Sequence, residues 1–106
     1  MKRRFVIGAD GFSAEQSKKF SEYLNSKGAY WHWIENFWLL TRSNDDPEKP
    51  LTATEIRDKA MEIGQNIRAL VLEVGADVDW CGVGAKNAKG RDQHEWIRKH
   101  WDSSTE

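Results

Sequence analysis

Asp10 is the residue whose type and placement point most directly to chemistry. It follows the short apolar run RRFVIGA at residues 3–9 and precedes Gly11, so its carboxylate stands where a buried strand is expected to turn. A carboxylate held there suits a hard divalent cation such as Mg2+, which takes oxygen ligands and keeps several waters. In a two-fold dimer two copies of Asp10 can face each other, and a metal-bound water can then attack a phosphodiester. Asp before Gly is also a favoured turn pair whose side chain hydrogen-bonds its own backbone. The residue types alone leave both roles open.

Two other groups carry chemistry. Tyr30, Trp31, Trp33, Phe37 and Trp38 are crowded into nine positions, where aromatic rings can stack nucleobases or fill a core. Six tryptophans in a chain of 106 residues exceed what a small core holds with every ring N–H satisfied, so Trp31, Trp33 and Trp38 are candidates for a partner interface. Lys86, Lys89 and Arg91, with Arg98 and Lys99 beyond them, form a local basic stretch able to meet phosphates. A solvated helix face accounts equally well for Arg98 and Lys99.

Other motifs do not assemble. His32, His94 and His100 show no ligand spacing, and a histidine within a strand is expected to be hydrogen-bonded and structural. Gly82-Val83-Gly84-Ala85-Lys86 lacks the spacing of a phosphate loop. Cys81 has no base beside it in sequence and reads as a structural thiol. As the single cysteine, it also excludes an internal disulfide framework and a cysteine zinc cluster.

Composition sets the frame for these groups. The chain carries 31% charged and 39% hydrophobic residues, within the globular range, and its length suits one domain spanning residues 1–106. Sixteen basic against seventeen acidic residues give a net charge of -1, so nucleic-acid binding has to come from a local patch. No apolar run approaches a membrane span, and no signal-peptide core follows the basic start. A cytoplasmic protein with no membrane partner is the expectation.

The elements that must position these residues are legible. After the first strand, Ser13 and Gln16 make a capping-box pattern; Phe20, Tyr23 and Leu24 share a helical face, and Gly28 supplies a left-handed stop, predicting a helix over about 14–27. Residues 29–42 hold two β-prone runs around Glu35-Asn36, a hairpin with Asn36 as turn residue. Residues 43–50 are polar, contain both prolines and read as an exposed loop. A second helix opens on Thr52 with Glu55 in a capping box and Leu51 with Ile56 as a hydrophobic staple, and it ends at Gly64. Residues 67–74 look like the central strand of a sheet. A last short helix opens at Asp92 and Glu95, with Trp96, Ile97, His100 and Trp101 on its apolar side. The order βαββαβ predicts an α+β, ferredoxin-like antiparallel sheet with two helices on one face, plus a short C-terminal helix covering an end or edge.

The same order of pieces resembles a family. FVIGAD, then Gly28-Ala29-Tyr30-Trp31-His32-Trp33 running into Glu35-Asn36-Phe37-Trp38-Leu39-Leu40, Thr54-Glu55-Ile56-Arg57-Asp58, Ala69 to Val74, Asp79-Trp80-Cys81-Gly82 and Glu95-Trp96-Ile97 are similar to the small SinR-like proteins. These are grouped with virulence-associated protein D and the small CRISPR adaptation subunit. The resemblance spans nearly the whole chain. It implies a ferredoxin-like homodimer in which the Asp ending the first strand, here Asp10, serves a metal-dependent nuclease activity where such activity exists. The leading expectation is therefore a small dimeric nucleic-acid-associated protein acting as a weak Mg2+-dependent endoribonuclease of a toxin or defence system. The alternative is a non-enzymatic protein-binding module, such as an antitoxin or a mobile-element or phage-encoded inhibitor of a defence complex, anchored by its tryptophans.

Overall fold

The computed structural model describes residues 2–75, 77, 79–81 and 95–101, and of Trp33 the backbone only. Four strands and two helices run in the order β1 (Arg3–Asp10), α1 (Ala14–Lys27), β2 (Ala29–Ile34), β3 (Phe37–Arg42), α2 (Ala53–Ile63) and β4 (Arg68–Val74), followed by a π-helical turn, Ile97–Trp101. The sheet is antiparallel throughout with strand order β2-β3-β1-β4. This is the ferredoxin-like α+β arrangement expected from the element order. Among the described residues no helix is long and apolar enough to cross a membrane.

Alternation along the strands divides the sheet into two apolar faces. Phe5, Ile7 and Ala9 of β1 with Trp38 and Leu40 of β3 turn toward the helices. There they pack with Phe20 and Leu24 of α1 and with Leu51, Ile56 and Ala60 at α2. The opposite face gathers Trp31 and Leu39 with Ile97 and Trp101, flanked by Val6, Phe37, Val74, Trp80 and Trp96. The C-terminal turn thus lies on the second face of the sheet and not on an end or edge, because β1, β2 and β3 all present apolar residues there. The expected start of this last element at Asp92 lies outside the described residues.

Local signals formed the helices largely as expected. At α1, Ser13 Oγ accepts from the Gln16 backbone N–H at 3.1 Å and Gln16 Oε1 accepts from the Ser13 N–H at 2.9 Å, so two free donors are satisfied reciprocally. At α2 only half of that motif forms. Thr52 Oγ1 accepts from the Glu55 N–H at 3.1 Å, but the Glu55 carboxylate turns away to the Tyr23 hydroxyl at 3.1 Å and Lys27 Nζ at 3.6 Å, tying α2 to α1. Burial, then the Glu55 charge, raises the Tyr23 hydroxyl well above its ordinary pKa.

Gly28 differs from its expected role. Its φ of 170° is extended rather than left-handed, and a Cβ there would lie 2.1 Å from the Thr41 carbonyl oxygen. Glycine is required because β2 starts in close contact with β3. A second departure concerns β4, which the sequence presents as a central strand and the fold places at the sheet edge, beside β1 alone.

Candidate functional site

Asp10 is the last residue of β1, one position further along the strand than the sequence suggested. Its Cα pairs with Arg68 at the start of β4, and β1 is held on both sides, by β3 and β4. The next residue, Gly11, has a φ of 108°, a left-handed conformation that side chains disfavour. This turns the chain sharply toward the Ser13 cap. The carboxylate is therefore carried on a rigid strand, 54% exposed, and accepts a hydrogen bond from Arg68 Nη2 at 3.0 Å.

The Arg68 side chain is 89% exposed, so the pair is worth at most about 1 kcal/mol and opens readily. A hard cation can displace the guanidinium and take one or both carboxylate oxygens. Among the described residues no group of three or more His, Cys, Asp or Glu side chains is placed to hold a metal ion, so within one chain Asp10 offers a single-carboxylate site. Arg68 is the neighbour that sequence reasoning missed, since nothing local signals that a residue 58 positions away will be its cross-strand partner.

Two small hollows flank this end of the sheet. One, of about 320 Å³, is lined by Gly11, Gln16, Ile63, Gly64, Gln65 and Asn66. The other, of about 230 Å³, lies between the start of α1 and the hairpin turn and is lined by Phe12, Ser13, Ala14, Ser17, Glu35 and Asn36. The first begins at Gly11, the residue after Asp10, and neither is lined by Asp10 itself.

The aromatic candidates separate. Trp38 is fully buried, edge-on to Phe20 at 5.0 Å and to Phe12 at 6.1 Å between ring centres, and its indole N–H donates to Ser21 Oγ at 3.0 Å. Trp31 is 9% exposed and stacks on Trp96 at 6.0 Å. Both rings are packed inside their own chain, which corrects the expectation that they face a partner. Core packing accounts for them, because α1 covers one face and the C-terminal turn the other. Trp33 lies in β2 with its side chain outside the described residues. His32 is structural as expected, stacked on Trp38 at 4.2 Å with Nε2 donating to the Glu35 carbonyl at 2.7 Å.

Of the basic candidates, Lys86, Lys89 and Arg91 lie outside the described residues. Arg98 and Lys99 are exposed on the C-terminal turn. That turn is tied to the β1 end of the chain by Lys2 Nζ, which donates to the His100 carbonyl at 2.8 Å, and by Arg4 Nε, which donates to the Trp101 carbonyl at 2.7 Å. Burial first, then the Lys99 and Lys2 charges, lowers the His100 pKa.

A cluster absent from the sequence reading sits at the other end of β1. The Arg3 guanidinium bonds Glu73 through both carboxylate oxygens, at 2.8 and 2.5 Å, as well as Asp45 at 2.7 Å and the Leu51 carbonyl. Asp45 also accepts from Arg42 Nε at 2.5 Å and from the Leu51 N–H at 3.0 Å. Burial disfavours the Asp45 charge, but the hydrogen bonds from Arg3, Arg42 and Leu51 outweigh it and lower the pKa to about 2. The segment expected to be an exposed loop is thus anchored by a carboxylate whose side chain is 5% exposed. Arg3, Asn44, Asp45, Asp46, Pro47, Pro50 and Glu73 line a hollow of about 700 Å³ there. Arg3, Asp45 and Glu73 are engaged with one another, so the cluster is a clasp that holds the loop to the sheet.

Neither a family model, a curated protein nor a solved structure matches the chain.

Proposed function

We propose that this protein is a small dimeric nucleic-acid-associated protein and a weak Mg2+-dependent endoribonuclease, with Asp10 as the metal-ligating carboxylate. The observation that supports this reading is the placement of Asp10. It is an exposed carboxylate on the rigid end of a doubly paired strand, beside one easily displaced arginine. Mg2+ is commonly held by one or two carboxylates together with substrate phosphates and water, so a single Asp10 per chain suffices when RNA supplies further oxygens. The bound ion would supply an activated water and charge neutralisation at the phosphate. Displaced from Asp10, the Arg68 guanidinium is free to pair with the same phosphate in a bidentate manner.

The alternative of a protein-binding module anchored by tryptophans is not favoured, because Trp31 and Trp38 are packed within the chain.

The test is cleavage of single- and double-stranded RNA and DNA by the wild type and by Asp10→Ala, with Mg2+ or Mn2+ and with chelator. Cleavage of RNA that needs both the metal and Asp10 is the expected result. Equal cleavage by the variant, or none by the wild type under any condition, overturns the enzymatic reading.

A further inference from the structure

β4 has the sequence of an interior strand and the position of an edge strand. RALVLEV carries apolar residues on both faces: Ala69 and Val71 pack toward the helices, while Leu70 and Leu72 are 64% and 49% exposed on the opposite face. Edge strands are normally protected from pairing by proline, charged side chains, a bulge, short length or a covering element. β4 carries charges only near its ends, at Arg68 and Glu73, and these are engaged by Asp10 and Arg3 of the same chain. It is seven residues long, contains neither proline nor lysine, and runs from Arg68 to Val74 in unbroken register with β1. Among the described residues no strand covers its outer side, where alternate backbone N–H and C=O groups point away from β1.

We propose that β4 is a self-pairing edge, through which two copies of this chain join antiparallel about a two-fold axis at Val71 to form one continuous eight-stranded sheet. The proposal rests on the dimer reading above and specifies its interface. A second copy is the occupant because the strand is a near-palindrome, Leu70-Val71-Leu72. Residues directly opposite in an antiparallel pair point to the same face, so the axis must pass through a residue. Placing it at Val71 sets Leu70 against Leu72 of the partner subunit and Leu72 against Leu70 of the partner subunit. All four exposed leucines are then covered in cross-strand pairs. In this register Arg68 stands opposite Val74 of the partner subunit and Glu73 opposite Ala69 of the partner subunit, so no like charges meet.

The flanking helix fits the same arrangement. Glu55 and Lys59 mark the side of α2 that faces Tyr23 on α1. At about 100° per residue, Met61 falls on the far side, above the sheet edge, and is 55% exposed. The pairing leaves the two Asp10 residues far apart, at roughly 25 Å from strand spacing and rise. Each copy then carries its own single-carboxylate site rather than sharing one ion with its partner.

The experiment combines oligomeric state with a register test on the full chain. Sedimentation is expected to give a dimer for the wild type and a monomer for Leu70→Lys/Leu72→Lys, with the far-UV circular dichroism of a folded chain retained because both side chains are exposed in one copy, and with a lower melting temperature that no longer depends on concentration. In a Cys81→Ser background, the single variants Leu70→Cys and Leu72→Cys are expected to form a covalent dimer under mild oxidation when mixed, and little when each is oxidised alone. A monomeric wild type overturns both this interface and the dimer reading. A dimer that survives the double lysine change, or cross-linking no better in the mixture than in either variant alone, overturns the interface and leaves the dimer reading standing. Neither outcome bears on cleavage, which the Asp10→Ala assay judges separately.

Discussion

On its helix face the sheet buries Phe5, Ile7, Trp38 and Leu40 completely beneath α1 and α2. Its other face keeps Trp31, Leu39, Ile97 and Trp101 at 5–9% exposure beneath a five-residue turn. The first closure uses fourteen- and eleven-residue helices with side-chain N-caps, and their amphipathic faces supply most of their stability through packing. The second uses a turn too short to be stable alone, held by tryptophan stacking and by Lys2 and Arg4 donating to its carbonyls. The contrast separates a cooperative core from a docked cover. Loss of a core contact must be borne by the whole fold, whereas loss of a cover contact is limited to the free energy of undocking the turn.

That distinction orders the expected effects of substitution. Trp38→Ala removes the ring that links β3 to α1 and leaves Ser21 without its donor. It should cost about 4 kcal/mol in denaturant unfolding, enough to abolish folding in a marginal domain, and a loss below half of that would dissolve the contrast. Trp101→Ala should cost less, about 2 kcal/mol, because the turn can lift off while the sheet and helices persist. Hydrogen exchange checks this directly: protection should fall at Trp31 and Leu39 and hold at Phe20 and Leu24.

The clasp at the far end of β1 belongs to neither closure and sharpens the comparison by its pH dependence. Asp45→Asn should cost about 1–2 kcal/mol near neutral pH. The Asp45 pKa is depressed from 3.8 to about 2 in the folded chain. Its contribution is therefore fully present above 3.8 and is lost as pH falls through about 2. Unfolding curves of wild type and Asn variant should converge across that window, and a constant gap down to pH 2 would disprove the assignment. The smallest effect is expected at the candidate site itself. Asp10→Asn breaks only an exposed ion pair and should change stability by less than about 0.5 kcal/mol, so a loss of cleavage in that variant would report on chemistry and not on folding.

Local interactions are what a chain displays in its own order, and they were legible. The α1 boundaries, the Ser13–Gln16 cap, the Leu51–Ile56 staple, the hairpin around Glu35-Asn36 and the first strand to within one residue of its end each depend on residues a few positions apart. The element order they produce was enough for the ferredoxin-like arrangement. Long-range placement was not legible. Arg68 beside Asp10, the Arg3–Asp45–Glu73 clasp and Trp101 over β1 join residues 42 to 97 positions apart. Which tryptophans are core depended on which faces the helices and the C-terminal turn came to cover. β4 shows the limit most sharply, for its residues specify a strand apolar on both faces, but its edge position follows from how β1 and β3 pair. The sequence by itself determined the elements and the amphipathic faces they carry, because capping, turn formation and alternation are nearest-neighbour physics. Only the tertiary structure decided which of those faces meet and which remain open, because burial is settled by the simultaneous packing of every element against the others.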